Sequence, residues 1–540
     1  MADGSASRPY QFAEYTIRGC AAAAFPFRLP SAGRYGMIAG MKTSMLGLAA
    51  AAALCSFSLE AKVDLGIPFA DGAVLQRGRE VPVWGTADSG AKVKVSFAGM
   101  TREATAGADG KWCVKLGAMG ACCEGRTLSA ESGGAVASAK DVLVGEVWFC
   151  SGQSNTELPL CGNNPHFRDA KGAMRAGMTR KPLVRFCCQS NYKTSVEPKK
   201  TAALPVVWRK FTPENLRNPS FSAMGVYFAL EIHNAIGIPV GIVGAYWGGT
   251  RVEPWTPACG FETVASCKRF GTQALLDPAA YKAQKDAGKV NFRIQDQPRV
   301  LWNEMVAPWT PFAIRGFIWY QGCSNASEGH GYADKMHALY NGWAKEFKNP
   351  DLKLYFVQLA PWGFDKIATI QEGQAIFAAA EKNAGMAVIN DRGNLADIHP
   401  NDKETVGQRL ALLALKRDYG FSDLKADSPT LKSWKIEGDK FVLSFNDVES
   451  WYLYHWDWAV TSGFEIAGED GKFVPAKIDN LKVKEQKGYQ SNGVIQGKDL
   501  VVRADGVTQP KKLRYLFSRP WYGALHNEAD LPLGAFHIGD

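Results

Sequence analysis

The amino-acid sequence predicts an α/β protein with a doubly wound parallel sheet at its centre and β-rich modules on either side. Three observations carry this expectation. Residues 142–149, Val-Leu-Val-Gly-Glu-Val-Trp-Phe, are almost wholly apolar, as a strand covered on both faces must be. Comparable runs recur at 183–187, 240–245, 314–320, 352–359 and 386–389, with helical periodicity between them at 224–235, 332–347 and 374–382. At both ends of the chain the pattern changes to short alternating runs cut by Gly and Asp turns.

Taken in order, residues 41–61 begin with Met41 and Lys42, continue through an apolar run and end on Ala61, which reads as an export signal cleaved after Ala61. Residues 1–40 would then lie upstream of the true start. The apolar run is too short to span a bilayer, so the mature chain is expected to be exported, periplasmic or secreted, without a membrane span. Residues 62–140 read as a small β-sandwich, with runs at 81–84 and 92–97 and an Asp109-Gly110 turn. Residues 141–422 form the α/β domain, in which 256–300 resembles an insertion of weak periodicity. Val406, Leu410, Leu413 and Arg417 share a helical face over 402–418, and Asn401 with Glu404 fits a capping box. Residues 423–540 read as a β-rich module, with runs at 431–445, 463–466, 498–503 and 513–517, free to pack on the first sandwich.

With 46% hydrophobic and 21% charged residues, the 540-residue chain is too apolar for disorder and too long for one ordinary core. Its net charge of +9 is spread along the chain with no arginine-rich arm and no zinc-finger spacing, which argues against a nucleic-acid partner. Sixteen Trp residues suit surfaces that stack on flat ligands such as sugars. Of twelve cysteines, ten follow Ala61; the adjacent pairs at 122–123 and 187–188 suit neither a metal knuckle nor a mutual disulfide, so these cysteines are expected as small buried residues with a few bridges.

Chemistry is expected at the carboxyl ends of the strands, where open α/β sheets bind ligands. Gly152-Gln153-Ser154-Asn155 stands at one such end. Ser154 is either a helix N-cap or a nucleophile; in the second case its own N–H helps hold an oxyanion, and Gly152 keeps the approach clear. Asp397-Ile398-His399-Pro400 follows another strand, where His399 can serve as base with Asp397 holding its tautomer. Gly248 and Gly249, and Gln321 and Asn325, sit on two further loops of the same rim as amide donors. Trp247, Trp255, Trp319, Tyr320 and Trp362 are candidates for a sugar-stacking wall, and a thiol nucleophile at Cys323 or Cys150 is a further alternative.

The ordered blocks Gly-Gln-Ser-Asn, Trp247-Gly-Gly-Thr250, Trp319-Tyr-Gln-Gly-Cys-Ser-Asn325 and Asp397-Ile-His-Pro400 resemble the sialate O-acetylesterase family of SGNH-type hydrolases. The likeness extends to 69–76, 145–148 and 527–532. It implies an SGNH flavodoxin-like α/β/α domain with flanking β-sandwich modules, and a serine esterase without metal or cofactor that deacetylates sialic acid or related sugars. An acetylxylan or pectin-type acetylesterase, or a non-catalytic carbohydrate-binding homologue, is the alternative. Under the resemblance Ser154 matches the nucleophile and His399 the base. Gly248 or Gly249 matches the second block, and Gln321 or Asn325 the third, with Gln153 as a further substrate-binding candidate. The support of His399 is open among Asp397, Asp391 and a backbone carbonyl. Thr156 replaces a usual Met, a change expected to affect packing alone, and Cys323 replaces a usual Glu.

Overall fold

The computed structural model describes residues 61–202, 204–362, 366–394, 396–454, 462–483, 492–495, 497–517 and 525–539. The expected signal at 41–61 lies outside them apart from Ala61.

The central layer is a sheet of Ala135–Gly152 (β1), Lys181–Cys188 (β2), Arg209–Phe211 (β3), Val240–Tyr246 (β4), Gly316–Tyr320 (β5), Lys353–Val357 (β6) and Ala384–Ala387 (β7), in the order β3-β2-β4-β1-β5-β6-β7. Every neighbouring pair is parallel except β3 with β2. The edge strand β3 is absent from the sequence expectation because it is three residues long and two of them are exposed, which leaves no apolar run to read. Strand β4 is buried at all seven positions and β5 at all five, in keeping with a sheet covered on both faces.

Strand β1 carries two burial patterns in one element. Over its first residues exposed and covered positions alternate, and from Val142 to Gly152 every residue is buried. The expected boundary at 140–141 therefore falls inside a continuous strand, whose first half pairs antiparallel with Cys122–Ser132 and whose second half is the middle of the parallel layer. A single apolar core runs from Val63 through the central layer to Ala426, so the N-terminal module shares the core of the α/β domain. Glu146 on β1 reinforces the join: fully buried, it accepts from Gln76, Arg77 and Arg315. The described residues between 430 and 538 build a separate core in three four-stranded sheets, so the C-terminal module does not merge with the first sandwich.

Helices Ala223–Ile236 (α1), Tyr332–Glu346 (α2), Lys366–Ala380 (α3) and Lys403–Asp418 (α4) occupy the expected stretches, α3 starting eight residues early. The expected capping box at α4 does not form. Asp402, one residue beyond Asn401, caps the helix by accepting from the Thr405 N–H, while Glu404 is drawn away to Lys171 and Arg175. The 256–300 stretch consists of short helices at Ala258–Phe261, Lys268–Thr272 and Pro278–Asp286 with 3₁₀ turns. Cys150, Cys187 and Cys267 are buried thiols, and no bridge is formed among the described residues.

Candidate active site

Parallel register brings the loops together. Gly152 at the end of β1 is level with Tyr246 of β4 on one side and Tyr320 of β5 on the other, so the chain leaves three adjacent strands on one rim. Ser154 follows the first, Gly248 the second and Gln321 the third. The segment after β7 brings His399 to the same rim: its Nε2 lies 2.9 Å from Ser154 Oγ, across 245 residues of sequence. Ser154 is the first residue of a short turn of helix whose N-cap is Gln153, so its hydroxyl does not cap the helix.

Behind His399 stands Asp397. One of its carboxylate oxygens accepts from the His399 N–H at 2.9 Å and lies 3.3 Å from Nδ1. The edge of Phe167 packs at 90° against the imidazole, with centroids 5.1 Å apart. Asp391 is elsewhere: both its oxygens are taken by Arg409, at 2.6 and 2.8 Å, and His526 lies 3.3 Å away. It is removed as a support for His399.

The amide donors are distributed differently from the expectation. Gly248 is beside Ser154, since a Cβ there would lie 3.3 Å from Ser154 Cβ, but its N–H donates to Glu157 Oε2 at 2.6 Å. Gly249 holds a left-handed turn at φ 70°, and its carbonyl accepts from Arg293. Gln321 is fully buried, with Nε2 near Gln153 Oε1, the Thr250 carbonyl and Asn325 Oδ1. Asn325 in turn donates to Glu253 and Glu328. Two hydrogens per amide are thus already committed, and both side chains hold the loops to one another. Gln153 Oε1 also accepts from the Gly322 and Ser324 N–H groups, which locks the turn preceding Ser154. No acceptor among the described residues takes the Ser154 N–H.

The sequence profile of the carbohydrate esterase, sialic acid-specific acetylesterase family matches residues 144–416, half of the chain. This chain belongs to that family. The sialate O-acetylesterase of Mus musculus is 29% identical over 335 residues, covering 55% of this chain and 60% of that protein. The human sialate O-acetylesterase is 27% identical over 334 residues, covering 56% and 59%. The chain thus spans about 60% of the length of these curated relatives. A carbohydrate acetylesterase from Xanthomonas citri has a solved structure that superposes with a TM-score of 0.74 at 31% identity, covering 88% of this chain and 99% of its own.

One departure of this carbohydrate-esterase-family chain has a structural consequence beyond that expected. Thr156 does more than pack: its hydroxyl faces the Ser151 carbonyl at 3.2 Å and the Tyr320 carbonyl at 3.0 Å, tying β1 to β5 next to Ser154. Gly152, at φ 142°, is required by the same contact, because a Cβ would come within 2.4 Å of both Thr156 Oγ1 and the Tyr320 carbonyl. The thiol at position 323 is pushed up to about 11 by burial and that of Cys150 to about 12, so neither is ionised at neutral pH.

Among the sugar-stacking candidates Trp255, Trp319 and Tyr320 are core residues. Trp362 is exposed, and Trp247 is half-buried edge-on to Tyr192, whose hydroxyl donates to the other oxygen of Glu157. A cavity of about 570 Å³ lined by Arg251, Glu253, Phe270, Glu328 and Lys335 is built around the partners of Asn325, and its lining includes neither Ser154 nor His399.

Sequence reasoning passes over Lys403, although it lies four residues past His399. Its ammonium is completely buried and donates to Asn155 Oδ1 at 2.7 Å and to the Pro400 carbonyl at 2.6 Å, above the face of Tyr320. Asn155 in turn donates to the Ile398 carbonyl. Residues on both sides of His399 are therefore tied to the neighbour of Ser154. Burial pushes Lys403 down to about 7, and His399 lies below the usual histidine value, first through burial and further through Lys403, against the opposing pull of Asp397. A histidine with a lowered pKa stays a neutral base further into acid. Lys403→Met is expected to lower kcat/KM about a hundredfold through misplacement of the pair, and to move the acid limb of the pH profile upward as the charge opposing imidazolium is lost. An unchanged rate and an unchanged limb would refute both roles.

Proposed function

We propose that this chain is an exported serine esterase that removes O-acetyl groups from sialic acid or related acetylated sugars. The observation that carries the reading is the 2.9 Å contact between Ser154 Oγ and His399 Nε2 on the rim of the sheet, with Asp397 behind the ring. His399 takes the hydroxyl proton as Ser154 Oγ attacks the acetyl carbonyl carbon. The oxyanion falls to the uncommitted Ser154 N–H, and to the Gly248 N–H once Glu157 releases it. His399 returns the proton to the departing sugar oxygen, leaving an acetyl-serine. Water, deprotonated by the same imidazole, then releases acetate and restores the hydroxyl. Each step is performed by side chains and backbone amides of the chain itself.

Sialic acid is favoured as the sugar by the family and by the named activity of the mouse and human relatives. Export rests on the leader-like sequence at 41–61; the secreted chain is expected to begin at Lys62, which N-terminal sequencing reads. The deciding experiment compares acetate release from O-acetylated sialic acid and from acetylated xylan. Faster release from the sialic acid is expected; a preference for xylan would reassign the substrate, and binding of both without release would leave a carbohydrate-binding protein.

A further inference from the structure

His330, Glu372 and His537 meet outside the active site. His330 Nε2 lies 2.8 Å from one oxygen of Glu372, and His537 Nδ1 lies 2.7 Å from the other. The rings are parallel to within 3°, with centroids 6.0 Å apart. One ligating atom from each residue falls within 4.8 Å of the other two. They come from different parts of the fold: His330 is in the turn Cys323–Gly331 after β5, Glu372 belongs to α3, and His537 sits on Phe536–Ile538, a strand of the C-terminal module.

We propose that this triad binds one divalent transition-metal ion of the zinc class, and that the ion pins the C-terminal module to the α/β domain. Two imidazole nitrogens and a carboxylate oxygen form a ligand set suited to zinc, whereas calcium and magnesium demand oxygen ligands throughout. A tetrahedral ion would hold these atoms about 3.4 Å apart, which rotation of the side chains reaches from the present spacing. The imidazoles are free to make it, being 49% and 36% exposed, and that exposure leaves room for water in the remaining position. The carboxylate is already aimed: Glu372 is 11% exposed, and the His537 backbone N–H donates to its Oε1 at 2.8 Å. That bond orients the ligand from outside the coordination sphere while Oε2 is left to the metal. Because Glu372 is on a helix that packs Ile370 and Phe377 into the first core and His537 on a strand that packs Ile538 into the second, an ion bound only by the folded chain stabilises the association of the two cores. The site is independent of the esterase reading.

The test titrates the metal-free full chain with Zn²⁺ against a chromophoric chelator, and records Co²⁺ spectra and melting curves. One ion per chain is expected, with a raised Tm. His330→Ala and His537→Ala should each weaken binding about tenfold or more and abolish the metal-dependent rise in Tm. Both substitutions replace exposed side chains, and their metal-free melting curves report whether they fold. Glu372→Gln, which keeps the shape of the carboxylate, should also weaken binding. The Co²⁺ spectrum should lack thiolate charge transfer, which separates this site from the cysteines. No stoichiometric binding, binding unchanged in the double histidine variant, or a thiolate spectrum would each overturn the proposal and leave a hydrogen-bonded clasp of two imidazoles on a carboxylate.

Discussion

Ser154→Ala is expected to lower kcat for p-nitrophenyl acetate roughly a millionfold, the scale of loss when a serine hydrolase is deprived of its nucleophile. The change removes only the oxygen that meets His399, at the start of a short helix. Melting temperature and circular dichroism should therefore match the parent. Cys323→Ser run in parallel should retain activity, because burial keeps that thiol protonated. If Ser154→Ala turns over at the parental rate, the acetyl-serine route is excluded. If Cys323→Ser alone is inactive, the nucleophile has been misassigned.

Asp391→Ala is expected to cost about 3–5 kcal/mol of stability, the scale for removing one partner of a buried ion pair. Asp391 is 8% exposed and Arg409 2%, so the substitution takes the carboxylate counter-charge from a buried guanidinium that keeps the Val388 and Asp530 carbonyls. Burial by itself would raise the Asp391 carboxyl, but Arg409 and His526 more than offset this and hold it well below the ordinary carboxylate range. The sign follows: the pair contributes fully at neutral pH, and its contribution is lost only as the pH falls from the unfolded-state carboxylate value through the depressed folded one. Urea denaturation at neutral pH measures the loss as a lowered midpoint. Asp391 touches Arg409 and not His399, so the pH profile of kcat/KM should keep its acid limb. A shifted limb with an unchanged midpoint would return Asp391 to the active site.

The reading of elements from sequence succeeded where burial is uniform. The apolar run at 142–149 announced the middle strand because every residue from Val142 to Gly152 is enclosed, and the face carrying Val406, Leu410 and Leu413 announced α4 for the same reason. It failed where burial changes along an element or where the element is at an edge. Nothing local signals that Ala135–Ser138 continue the strand that becomes the centre of the sheet, since their pattern is that of a half-exposed sandwich strand. The cap of α4 was displaced by one residue because Asn401 and Asp402 are both good caps and only the packing of Glu404 against Arg175 separates them.

By itself the sequence determined which residue types stand at the ends of which strands: Ser154, Gly248 and His399 each follow a recognisable apolar run, and a parallel sheet sends such ends to one rim. Only the tertiary structure decided what the side chains do there. Hydrogen-bond donors are few and each is spent once, so Gln321 and Asn325 could not be assigned until their partners at Gln153, Thr250 and Glu253 were in place. The same holds for Lys403, an ordinary first-turn helix residue in sequence, which ties Asn155 beside Ser154 to Pro400 beside His399 because the surrounding packing leaves its ammonium no route to water.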